Sequence, residues 1–125
     1  MKLLLDSQIL VWLAVDSPKL SRDARRQIEA ADELFFSTAS IWELVIKRKR
    51  HSATIEPTAL ASGLIAQGVQ ELPIKLLHAL AVEGLADHHQ DSFDRLLIAQ
   101  AITEPMFFLT ADRLLLQYAE LVRQA

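Results

Sequence analysis

Short apolar runs alternate along this chain with longer stretches of helical periodicity, and that alternation restricts the fold more than any other feature of the sequence. The apolar runs fall at residues 2–5, 34–36, 70–74, 106–109 and 121–122, each long enough only for a short strand. Helical patterns cover 8–15, 22–31, a segment that opens between Ser37 and Ser40 and runs to about 50, then 57–68, 75–84, 93–103 and 113–118. Ser17-Pro18 marks a turn, and Ser21 is placed to cap the second helix. Strands that are apolar throughout, rather than alternating, are buried on both faces, as in parallel sheets covered by helices. The pattern predicts an α/β fold with a mostly parallel sheet. In such a sheet all strands end at one rim, and ligands bind there, at the point where strand order reverses.

Four acids fall at predicted strand ends or helix starts. Asp6 directly follows the first strand, and Asp112 follows the 106–109 run in Leu109-Thr110-Ala111-Asp112. Glu43 is placed in the first turn of the helix after the second strand, and Asp94 in the first turn of the helix that begins Asp91-Ser92-Phe93-Asp94. Each has an ordinary structural role open to it. Asp6, Asp91 and Asp112 fit as N-caps. Ser40-Ile41-Trp42-Glu43 has capping-box spacing, and Glu43 also stands four residues before Lys47, the spacing of a helical ion pair. Asp94 suits a helix dipole. Together, though, the four would share one rim, where close carboxylates repel unless a cation bridges them. Hard divalent ions accept oxygen ligands of this kind, so the set points to Mg²⁺ or Mn²⁺ rather than zinc, and to metal-assisted phosphoryl chemistry.

Composition removes the main alternatives. There are no cysteines, which excludes disulfides, thiolate zinc sites and thiol catalysis. Three glycines and the lack of a phosphate-cradling loop weaken any NTPase, kinase or dinucleotide reading, and no Gly-x-Ser-x-Gly elbow supplies a nucleophile. The formal net charge of −3 argues against gripping nucleic acid by bulk charge, though not against doing so with recruited cations. A phospho-acceptor signalling domain would want a Lys-Pro pair at its last strand, and Pro73-Ile74-Lys75 has the wrong order and place. Asp6 and Gln8 break the apolar start, and residues 9–15 are far short of a membrane span. The expectation is one domain over 1–125, soluble and cytoplasmic, with no membrane partner.

Four segments, LLLDSQILVWL, FFSTASIWELVIK, HHQDSFDRLLIAQA and FLTADRLLLQY, resemble in order the PIN-domain family, and within it the VapC-like toxins of type II toxin–antitoxin pairs. The resemblance spans nearly the whole chain. It implies a three-layer α/β/α domain around a five-stranded, mostly parallel sheet, and a metal-dependent endoribonuclease acting on RNA. It implies that Asp6, Glu43, Asp94 and Asp112 form the acidic site, with Asp6 and Asp94 foremost as metal ligands and Ser7 and Thr110 in support. It further implies a cognate antitoxin and a homodimer. Three positions depart from the family pattern: Ser7 stands where Thr is usual, Ser92 where Pro is usual, and a basic run where Gly-Lys often follows the middle helix.

That run, Lys47, Arg48, Lys49 and Arg50, fits either a solvated helix end or a phosphate-binding surface. Arg95 fits an ion pair with a neighbouring acid or a phosphate contact. His88 and His89 suit a polar loop better than an oxygen-rich ion site. Trp12 and Trp42 lie in apolar helical runs and read as core or dimer contacts rather than base-stacking platforms. Two competing functions remain: a fold-retaining binding module without catalysis, and a 5′-nuclease-like DNA enzyme, for which the chain lacks room for DNA-clamping elements.

Overall fold

The computed structural model describes residues 1–50, 55–86 and 91–125; His88 and His89 lie outside the described residues. Strand β1 (Lys2–Leu5) leads into helix α1 (Ser7–Ala14), then α2 (Arg22–Ala30), β2 (Glu33–Ser37), α3 (Thr38–Arg50) and α4 (Pro57–Ala66). The chain continues through β3 (Gln70–Leu72), α5 (Leu76–Ala81), a 3₁₀ turn (Val82–Gly84), α6 (Ser92–Thr103), β4 (Phe107–Thr110), a second 3₁₀ turn (Arg113–Gln117) and β5 (Val122–Gln124).

The five strands form one parallel sheet in the order β3-β2-β1-β4-β5, with Leu4 of β1 opposite Phe35 on one side and Phe108 on the other. Successive strand residues face opposite ways, and the core divides accordingly. Leu3 and Leu5 pack with Ile9, Leu10, Ala24, Ile28, Leu60 and Leu64 of α1, α2 and α4. Leu4 packs with Leu97, Ile98 and Ala101 of α6. The parallel α/β fold is therefore as the sequence pattern predicts, and its three-layer α/β/α architecture as the family resemblance implies.

Several boundaries differ, each for a local reason. β3 stops at Leu72 because Pro73 has no N–H for the ladder. The predicted 75–84 helix relaxes to 3₁₀ geometry after Ala81, and the 113–118 segment is 3₁₀ rather than α-helical. α4 ends against Gly68, whose φ of +88° and amide hydrogen bond, donated to the Ile65 carbonyl, complete a left-handed C-terminal stop. α3 begins at Thr38, capped by the Ser37 hydroxyl accepting from the Ala39 amide at 3.0 Å.

Topology fixes where a ligand can sit. From β1 the chain adds β2 and β3 on one side, then β4 and β5 on the other. The order therefore reverses between β1 and β4, and the crevice opens beyond their C-terminal ends.

Candidate active site

Asp6 sits at that reversal. Its amide donates to the Leu109 carbonyl at 3.0 Å, carrying the β1–β4 ladder one step past the strand. It is the N-cap of α1, with Oδ1 accepting from the Ser7 amide at 2.7 Å. Oδ2 accepts from the Thr110 hydroxyl at 2.6 Å, across from the end of β4. The Thr110 oxygen in turn accepts from the Asp112 amide at 3.1 Å. The carboxylate thus ties the two strand ends together, and the Thr110 hydroxyl links them to the following turn.

Burial dominates the electrostatics. Asp6 is only 8% exposed, and desolvation pushes its carboxyl above the usual value of 3.8; the Thr110 and Ser7 hydrogen bonds oppose this, while the charges of Glu43 and Asp112 add to it. Asp6, Glu43 and Asp112 therefore share one electrostatic neighbourhood.

Glu43 is the sixth residue of α3, in its second turn rather than its first, and is buried. With α3 starting at Thr38, Ser40 is internal and the capping-box role falls away. The helical ion pair does form: Lys47 Nζ lies 3.2 Å from Glu43 Oε2. Asp112 caps the second 3₁₀ turn, accepting from the Leu114 amide at 3.0 Å. Asp94 stands half-buried in the first turn of α6, and its amide donates to Asp91, the N-cap, at 3.1 Å. The ring of Phe93, next to Asp94, meets that of Trp42, next to Glu43, edge-to-face at 5.1 Å, so the starts of α6 and α3 lie together. Trp12 packs against the α1–α2–α4 core, as predicted for it.

As the side chains stand, no three acids or histidines among the described residues are gathered closely enough to cage an ion. The donor set nevertheless fits a hard cation, being all oxygen. Among the described residues, two buried hydroxyls beside it, Ser7 Oγ and Ser40 Oγ, have no hydrogen-bond partner. One adjoins Asp6 and the other precedes Glu43 by about a turn.

The basic residues divide. Arg48 pairs with Glu56 at 3.3 Å, while Lys49 and Arg50 project from the exposed end of α3. Arg95 is engaged in the fold: its guanidinium donates to the Ala86 carbonyl at 3.0 Å, the Tyr118 hydroxyl at 3.4 Å and the Val82 carbonyl at 3.5 Å. Sequence reasoning passed over a buried polar group formed by Ser37, His78 and Gln100. The available signal was a single polar residue inside each apolar helical run, Leu76-Leu77-His78-Ala79-Leu80 and Leu97-Ile98-Ala99-Gln100-Ala101.

A parallel α/β/α sheet with a buried carboxylate at its reversal point defines the class of the molecule, and comparison with known proteins gives its family. The PIN domain profile matches residues 3–121, and the chain belongs to that family. Among curated proteins, none matches the sequence closely enough to count as a relative. The fold is shared with VapBC2 of Rickettsia felis bound to a promoter DNA fragment, at a TM-score of 0.71, 14% identity and coverage of 99% of this chain and 98% of that one. It is shared too with DNA-bound VapBC of Salmonella typhimurium (TM-score 0.69, 14% identity, 100% and 97% coverage). A toxin–antitoxin complex from Klebsiella pneumoniae gives a TM-score of 0.66 at 16% identity, with 96% and 94% coverage.

Proposed function

We propose that this PIN domain is a metal-dependent endoribonuclease and the toxin of a type II toxin–antitoxin pair. The observation that carries the reading is the Asp6 carboxylate, buried at the β1–β4 reversal, fixed by Thr110 and Ser7, and backed by the charges of Glu43 and Asp112. A buried carboxylate crowded by two further acids is costly for a fold and has a use where a cation is recruited. Asp6 and Asp94, with Glu43 and Asp112, would hold Mg²⁺ or Mn²⁺. Such an ion supplies Lewis acidity, lowering the pKa of water and offsetting charge that develops on a phosphodiester.

The chain's own residues set the geometry. Thr110 holds one Asp6 oxygen and the Ser7 amide the other, so the carboxylate cannot rotate away from the crevice. Lys47 keeps the Glu43 charge compensated. Lys49 and Arg50, exposed at the end of α3, provide cations for the RNA backbone. The test is cleavage of RNA by the purified protein with Mg²⁺ or Mn²⁺ and with EDTA, beside Asp6→Asn. Metal-dependent cutting lost in the variant is expected; RNA left intact by the wild type under all conditions would overturn the assignment.

The toxin reading draws on the structural neighbours named above, two of them VapBC proteins and one a toxin–antitoxin complex. Exposed Val15 at the C-cap of α1, Trp42 and Val45 on α3 and Ile65 on α4 offer apolar area to an amphipathic helix of a partner. An acidic crevice suits an Arg from its tail. Co-purification with the product of the adjacent gene, followed by the RNA assay, tests this, and size measurement of the free protein tests the homodimer. Among the described residues no helix is long and apolar enough to cross a membrane.

A further inference from the structure

A line of buried polar side chains crosses the α6 side of the sheet and joins the two helices that carry Glu43 and Asp94. Ser37, His78 and Gln100 are fully buried there. The Ser37 oxygen already accepts from the Ala39 amide at the start of α3, so its proton goes to Gln100 Oε1, 2.6 Å away. With Oε1 taken as acceptor, the Gln100 amide turns Nε2 the other way, to 3.3 Å from His78 Nδ1 and 3.5 Å from the Pro73 carbonyl. His78 Nδ1 also accepts from the Lys75 amide at 3.0 Å. Two donors converge on Nδ1, so that nitrogen carries no proton. His78 is therefore the Nε2–H tautomer, donating to Glu104 Oε2 at 2.5 Å. Every donor in the line points one way, from α3 to Glu104.

Burying this much polar surface without need is unfavourable, since apolar residues of similar volume would serve a core as well. Its placement gives it a use. Glu43 lies six residues beyond Ser37, and Asp94 six residues before Gln100. The Ser37–Gln100 bond therefore ties β2 and the start of α3 to α6, about 9 Å along each helix from its acid. The Trp42–Phe93 ring contact, beside both acids, is the second point at which the same helices meet.

We propose that Ser37 and Gln100 are positioning residues that set the α3–α6 register, and with it the spacing of Glu43 and Asp94, while His78 and Glu104 hold the Gln100 amide in the required orientation. The consequence for catalysis rests on the nuclease reading above; the register itself does not. Trp42 reports the register directly once Trp12 is replaced by Phe. In that background, Ser37→Ala and Gln100→Met are compared with Ser37→Thr, which keeps the hydroxyl, and with Ile28→Val, which loosens the core of the opposite layer.

At a temperature where all remain folded, Ser37→Ala and Gln100→Met should shift Trp42 emission. They should also weaken calorimetric Mn²⁺ binding without RNA, and lower kcat, by about 10- to 100-fold, with KM for RNA within about twofold. Ser37→Thr and Ile28→Val should retain the parent values. Ser37→Ala with Mn²⁺ affinity, kcat and Trp42 emission equal to those of Ile28→Val would overturn the proposal; if Gln100→Met does not fold, Ser37→Ala decides. If the parent protein neither binds Mn²⁺ nor cuts RNA, the nuclease reading falls. Trp42 emission then decides the register alone, and unchanged emission in Ser37→Ala refutes it.

Discussion

Replacing Thr110 with Val probes the Asp6 site most directly, because the two side chains have nearly the same shape and differ in the hydroxyl. That hydroxyl makes two contacts: it donates to the Asp6 carboxylate at 2.6 Å and accepts from the Asp112 amide at 3.1 Å. The first is charge-assisted and contributes about 1.5–3 kcal/mol, and stranding the half-buried amide costs about 1 kcal/mol more. Metal-free Thr110→Val should therefore lose about 3 kcal/mol at neutral pH, or roughly 10 °C in Tm for a chain of this size.

The loss should depend on pH. Burial already holds the Asp6 carboxyl above its ordinary 3.8, and the Thr110 bond is what chiefly restrains it. Without that bond the carboxyl rises further. A folded-state value above the unfolded one means that the native state takes up the proton first, so the burden of the buried charge is full above the folded value and is relieved as pH falls through it towards 3.8. Once protonated, Asp6 has only a neutral hydrogen bond to lose, and the deficit of the variant should shrink by about 1 kcal/mol or more. Urea unfolding in EDTA, at neutral pH and again at mildly acid pH, measures both quantities. A neutral-pH deficit below about 1 kcal/mol, or one of the same size at both pH values, would refute the account of Asp6 as a strained, hydroxyl-held carboxylate.

Asp6→Asn removes the buried charge and should leave the metal-free Tm equal to or above that of the parent while cutting RNA cleavage by about 100-fold or more; a large drop in Tm would show that the hydrogen bonds of the carboxylate outweigh its burial. Glu43→Gln loses only an ion pair to a half-exposed lysine, so stability should hold within about 1 kcal/mol, but cleavage should fall at least about tenfold. Full activity in that variant would remove Glu43 from the site. Lys49→Ala and Arg50→Ala should each flatten the salt dependence of RNA binding by about 0.7 in log–log slope, as measured by titration at several salt concentrations; unchanged slopes would make the basic run a solvated helix end.

What could be read from the sequence follows the range of the forces involved. β1, α1 and α6 are written in local patterns, and their predicted positions hold. Strand order depends on pairing between distant segments, and no local feature of residues 2–5 says that β4 rather than β3 lies beside them. Several hydroxyls lie within one turn at the start of α3; the one that caps it, Ser37, also gives its proton to Gln100, distant in sequence, and with α3 starting at Thr38 Glu43 falls in the second turn. His78 and Gln100 are illegible in the sequence because their contact is non-local: each looks like a stray polar residue until the other is beside it. For these acids a capping role and a candidate site role are compatible. A carboxylate has two oxygens, and an N-cap uses one. Asp6 gives Oδ1 to the Ser7 amide and Oδ2 to Thr110. The cap fixes the side chain at the strand end, where the sheet topology opens its crevice, and leaves the second oxygen to be oriented by the neighbouring strand. Acids that begin helices on this rim, Asp6 and Asp112, are therefore fixed in place by the same bonds that make them look like ordinary caps.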